Sequence, residues 1–143
     1  MFDDRRTQDQ AATEKLAVLV TPLFLSTDSE SLQTLLEDTS GELGGRLMVL
    51  DLSGKVQADS FSELNGKRLE LPEVASILLG ERTVDYGVHG VGQHVSLSFF
   101  SYFKEQAQDD SWVSYCSAAL TDQGEMVGVL LYSSSAGDMM ADL

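Results

Sequence analysis

Arg46-Leu47-Met48-Val49-Leu50-Asp51-Leu52-Ser53-Gly54-Lys55-Val56-Gln57-Ala58-Asp59 is the stretch whose reading decides the fold. Residues 46–51 read as a strand, Ser53-Gly54-Lys55 as a turn and Val56 to Asp59 as the return, so the stretch predicts a tight β-hairpin. Asp51 and Ser53 are spaced to accept amides of the turn beside Gly54. Asp59-Ser60 stands where a polar pair can cap the chain as it leaves the sheet.

After this hairpin, residues 61–71 read as a polar connection. Pro72 suits the first turn of a helix, Glu73 is favourable near its positive end, Val74, Ile77 and Leu78 supply a buried face, and Gly80 closes it. Four β-like segments follow: Thr83 to Val88, Gln93 to Lys104, Trp112 to Thr121 and Met126 to Ser133. Asp122-Gln123-Gly124-Glu125 is the hairpin link between the last two. Before the quoted stretch, Ala12, Leu16, Leu19, Val20 and Leu23 recur at helical spacing, predicting a helix over about 7–25 that Pro22 kinks or ends. The first ten residues read as loosely held. Thr27-Asp28-Ser29-Glu30 has the form of a capping box opening a short helix to about Asp38, which Gly41, Gly44 and Gly45 end. The whole predicts one α+β domain over 1–143. A long N-terminal helix packs on a central antiparallel sheet of about five strands, the sheet core spans 45–133 with its own helix over 72–79, and 134–143 forms a C-terminal segment.

The chain has 143 residues with 43% hydrophobic content, enough for one core and too few for two ordinary domains. Its 23 acidic residues against 9 basic ones give a net charge of -14, which repels a phosphate backbone and argues against a nucleic-acid partner. The longest apolar run, Leu16 to Leu25, contains Thr21 and Pro22 and is short of a membrane span. The single cysteine, Cys116, excludes an intramolecular disulfide.

Catalytic and metal chemistry find little support in the residues. His89 and His94, the two histidines, flank Gly87-Val88-His89-Gly90-Val91-Gly92, which reads as a mobile hairpin loop. A zinc site needs three or four ligands in fixed geometry, so no metal or cofactor is expected. The glycines lack the strand-to-helix setting and the lysine of a phosphate cradle. Cys116 lies mid-strand among apolar neighbours, the setting of a structural thiol. Asp109-Asp110 reads as a solvated turn. The segment from His94 is more informative: alternation puts Val95, Leu97, Phe99 and Phe103 on one face and His94, Ser96, Ser98, Phe100 and Tyr102 on the other. The second face suits a small polar ligand, and Arg82, Tyr86, His94, Ser96, Ser98 and Tyr115 are the candidate binding residues. Ala12, Leu16, Leu19 and Leu23 follow the 4-3-4 spacing of a helix-pairing seam.

Residues 45–60, with Asn65-Gly66-Lys67, Pro72-Glu73-Val74 and Leu79-Gly80-Glu81, resemble the extracytoplasmic PAS-like sensor domains, called Cache or PDC domains, of sensor histidine kinases of the phosphate-regulation and cell-wall types. Tyr115 to Leu120 and Gly124 to Leu130 stand where that family has its last two strands. The resemblance implies a non-catalytic input module held outside the cytoplasm between two membrane spans, before residue 1 and after Leu143. The parent would be a homodimeric membrane receptor that answers a small molecule or a protein signal. A chemoreceptor or cyclase can carry the same module. A cytoplasmic profilin-like or roadblock-like interaction protein is the alternative from another class.

Overall fold

Strand β1 (Arg46–Leu50) is buried at every position, which explains its unbroken apolar run: a strand covered on both faces has no solvent side. The computed structural model describes residues 2–26, 28–90 and 112–135. β1 pairs antiparallel with β2 (Val56–Asp59) on one side and β5 (Glu125–Ser135) on the other. Beyond β5 lie β4 (Trp112–Asp122) and then β3 (Val84–Gly90), so the described sheet runs β2-β1-β5-β4-β3 with antiparallel pairing throughout. The expected α+β sheet of five strands is present. The expected Gln93 to Lys104 strand, Asp109-Asp110 and residues 136–143 lie outside the described residues.

Local chemistry explains both hairpins. Asp51 Oδ1 accepts the amides of Ser53 and Lys55 at 2.9 and 3.1 Å, and Gly54 takes the turn at φ +85°, a conformation that costs glycine nothing sterically. Asp59 accepts the amides of Phe61, Glu63 and Leu64 at 3.0, 3.1 and 2.8 Å. Ser60 Oγ accepts the Leu47 amide at 3.0 Å. Between β4 and β5, Gln123 and Gly124 sit at φ 53° and 83°, the pair of positive angles that a two-residue turn needs to match strand twist.

The two faces of the sheet are covered differently. Helices α1 (Phe2–Leu25) and α2 (Ser29–Leu43) cover one, packing Leu16, Val20, Leu32 and Leu36 against Leu47, Val49, Leu120 and Leu130. The short helix α3 (Pro72–Leu78) and the chain leading to it cover the other, packing Leu69, Leu71, Val74 and Ile77 against Met48, Leu50, Val129 and Leu131. Each such aliphatic side chain contributes about 1.5–3 kcal/mol by leaving water.

Three sequence expectations are corrected. α1 begins at Phe2 instead of Thr7, so helix stands where loose chain was expected. The buried side there carries Asp9 and Thr13, with Thr13 Oγ1 donating back to the Asp9 carbonyl at 2.7 Å, so no apolar stripe announces it. The cap of α2 is Asp28, which accepts the Ser31 amide at 3.0 Å and the Ser31 hydroxyl at 2.6 Å, in place of a box opened by Thr27. α2 also runs past Asp38 and Gly41 to Leu43, closing on Gly44 at φ 79°.

Candidate functional site

The residues of the α3-covered face form one row across the sheet. Arg46 pairs with Ser133, Ser133 with Tyr115, and Tyr115 with Gly87. Side chains at alternate strand positions share a face, so His89 of β3 and Ser117 of β4 flank this row. α3 lays Glu73 over it, and both oxygens of that carboxylate lie 3.0 Å from His89 Nε2. Ser117 Oγ donates to the Glu73 carbonyl at 2.8 Å. Ser76, one turn on, donates to Asp85 Oδ2 at 2.6 Å. α3 is thus held to β3 and β4 by polar contacts as well as by its apolar side.

An ion pair and a carboxylate–imidazole contact bracket the row. At the β1 end the Arg46 guanidinium meets the Asp59 carboxylate, Nε to Oδ1 at 2.9 Å and Nη2 to Oδ2, with both side chains buried. Burial alone would raise the Asp59 carboxyl. The Arg46 hydrogen bond and charge, with the backbone amides, outweigh it and hold the group below the usual carboxylate range. At the other end stands Glu73 with His89. Tyr115 lies between, its ring centre 5.5 Å from that of His89. Burial and the Glu73 charge raise the Tyr115 phenol far above its ordinary value, against the pull of Arg46, so it stays a protonated donor near neutral pH. Ser133 Oγ, also buried in this row, has no hydrogen-bond partner among the described residues.

This arrangement can bind, orient and transmit position. Cys116 offers no nucleophile: it lies on the α1 face, where burial pushes its thiol up to about 11, and a thiol rather than a thiolate is a poor attacking group. Among the described residues no group of three or more His, Cys, Asp and Glu side chains is placed to hold a metal ion.

The structure distributes the candidate residues unevenly. Tyr115 is in the row. Tyr86 is on the opposite face, packed beneath α1 with Arg6 5.5 Å from its ring centre, because β3 pairs Gly87, and not Tyr86, with Tyr115. Arg82 is exposed at the edge, 4.0 Å from Asp85. His94, Ser96 and Ser98 lie outside the described residues. Of the helix seam, Leu16 is buried and Leu23 partly buried against the chain's own core. Ala12 is half-buried, and Leu19 is 55% exposed.

The reading of Gly87 to Gly90 as mobile loop is corrected, since these residues are strand. A Cβ at Gly87 would collide with the Glu73 carboxylate, which would have to move aside. Glu73, His89, Ser117 and Ser133 were missed as site residues. The available signal was a buried-side carboxylate two residues into a helix and a glycine alternating with a histidine in a strand.

No known protein-family model matches the chain, and no curated protein matches it by sequence. Among solved structures, the sensor domain of the Vibrio cholerae histidine kinase DctB superposes with a TM-score of 0.62 at 11% identity over 95% of this chain. The chain spans about half, 52%, of that domain's length. A sensor region of a sensor histidine kinase aligns at a TM-score of 0.46 and 14% identity, over 79% of this chain and 51% of that one. The cofactor-binding GAF domain of the nutrient sensor CodY from Clostridium difficile aligns at 0.42 and 12%, over 71% and 67%. The first likeness establishes the fold alone, a PAS-like α+β architecture of helices packed on an antiparallel sheet. Among the described residues no helix is long and apolar enough to cross a membrane.

Proposed function

We propose that the chain is the signal-sensing input domain of a bacterial membrane histidine kinase, standing outside the cytoplasm, performing no chemistry and paired with a second copy in the receptor. The observation that carries this reading is the buried polar layer joining α3 to the sheet: Glu73 on His89, Ser117 on the Glu73 carbonyl, and Tyr115 and Ser133 beside them. Such a layer has discrete arrangements, because a buried polar group that loses one partner must find another. A small polar signal, or a protein that moves α3, shifts the balance between two arrangements by its differential affinity for them. The PAS-like fold shared with the DctB sensor domain supports the same reading. Tyr115 lies in this layer, and Arg82, Tyr86, His94, Ser96 and Ser98 stay proposed as ligand contacts, Tyr86 from the α1-covered face.

The test is kinase output in the full receptor that carries this chain, reconstituted in vesicles. Glu73→Gln and His89→Gln are expected to change basal autophosphorylation in the same direction, while the isolated chain incubated with labelled ATP stays unlabelled. Stoichiometric phosphorylation of the isolated chain at His89, or receptor output indifferent to both substitutions, overturns the reading.

A further inference from the structure

Lys55 and Arg68 face each other across an antiparallel β-bridge that stands apart from the five-stranded sheet. Residues directly opposed in such a bridge project to the same side, and like charges there repel. Hydrogen bonds on either side fix the pairing, Val56 to the Lys67 carbonyl at 2.8 Å and Leu69 to the Gly54 carbonyl at 3.0 Å. Both side chains are exposed. Neither, nor neighbouring Lys67, makes an ion pair among the described residues. In a chain with 23 acidic and 9 basic residues, two cations opposed across a bridge with no ion-pair partner among the described residues break the local charge rule. Breaks of that kind mark places where something other than stability was selected.

Beside this bridge runs a groove of about 550 Å³ between the β1–β2 turn and the outer side of α3. Arg68 stands on its wall, and Leu71, Pro72, Ala75 and Leu78 give it an apolar lining. Leu52 and Leu79, next in sequence to the lining residues Ser53 and Leu78, are 55% and 72% exposed. The groove is separate from the Glu73 layer, which faces the sheet.

We propose that this groove binds a small organic anion with an aliphatic body, a monocarboxylate of roughly six to ten carbons, its charge on Lys55 and Arg68 and its chain against Leu71, Ala75 and Leu78. Charge complementarity selects an anion, and the apolar lining selects a chain instead of a bare inorganic ion. Glu70 on the same groove disfavours a doubly charged phosphate head. The site is independent of the reading given above and does not require that this chain be a receptor domain.

The test is titration of octanoate into the isotopically labelled chain, followed by amide resonances and by calorimetry, with octanol and inorganic phosphate as controls. Saturable shifts are expected at Gly54, Leu69, Leu71 and Ala75, with octanol and phosphate each binding about tenfold or more weakly. Lys55→Gln with Arg68→Gln should weaken octanoate binding about tenfold or more without lowering the melting temperature, since the pair removed is repulsive. Lys55→Glu should raise the melting temperature by pairing with Arg68 and should abolish binding. Absence of saturable octanoate binding at millimolar concentration, equal affinity for octanol, or unaltered affinity in the Lys55/Arg68 double variant overturns the proposal.

Discussion

The Glu73 carboxylate lies over Gly87, in the space that a Cβ at that position would need. The helix and the strand that follows it in the chain are thereby brought close enough for Glu73 to reach His89. Gly87→Ala is expected to displace the carboxylate and destabilise the chain by about 1–3 kcal/mol, less the about 0.4–1 kcal/mol gained from a stiffer unfolded chain. Urea denaturation measures this. Glu73→Ala removes the obstacle, so the two substitutions together should cost less than the sum of their separate costs. Additive costs would show that the two residues do not share this space.

The buried Asp59 and the half-buried Asp51 both collect turn amides, yet they should differ in what they contribute. Asp59 also holds the buried Arg46 guanidinium, so Asp59→Ala leaves a buried charge and three amides without their acceptor and should cost about 3–5 kcal/mol. Asp51→Ala exposes its amides to water and should cost about 1 kcal/mol. Equal losses in denaturant midpoint would place the Arg46 pair in contact with solvent.

The Asp59 carboxyl is held below its ordinary value of 3.8. A group depressed in the folded state contributes stability that is fully present above its unfolded pKa and is lost as pH falls through the folded one. Stability should therefore fall as pH drops below about 4, and Asp59→Ala should flatten that part of the profile. Asp51 shifts in the same direction, so some acid dependence survives in the variant.

How much of this was legible in the residues depended on how far apart the interacting groups lie. The β1–β2 hairpin was legible because Asp51, Gly54 and Asp59 act on amides within a few residues of themselves. Glu73 was read as a helix-end charge because its sequence neighbours say nothing of a partner sixteen residues on. Tyr86 and Tyr115 were grouped on one site, but a register of Gly87 opposite Tyr115 puts them on opposite faces, and a shift of one residue reverses every such assignment. The start of α1 was hidden because Asp9 and Thr13 occupy its buried side.

Cys116 should be almost inert to thiol reagents in the folded chain. With its thiol pushed up to about 11 by burial, its thiolate fraction at pH 8 is roughly a hundredfold below that of a free cysteine. Labelling by a disulfide reagent should therefore be slow and should accelerate with urea in step with unfolding. Rapid labelling in native buffer would show that α1 opens readily over β4.

Leu16 and Leu19 are three residues apart on α1, and the structure gives them opposite surroundings. Leu16 packs against Cys116 and Leu130 in the core cluster, whereas Leu19 and its neighbour Val18 are 55% and 72% exposed. Leu16→Ala should cost about 2–5 kcal/mol, and Leu19→Ala less than about 0.5 kcal/mol. A seam that used both residues would have to release Leu16 from the fold, a cost that a short helix pair without anchors does not recover. Pairing of two copies through α1 must then run through the outward side, with Val18 and Leu19 rather than Leu16 at its centre. Sedimentation over a wide concentration range checks this on the wild type and on Val18→Glu with Leu19→Glu. The variant should keep the wild-type melting temperature and lose any self-association the wild type shows. A dimer that persists unweakened in that variant would exclude this side of α1, and β2 and β3, the outer strands of the described sheet, would become the surfaces to test next.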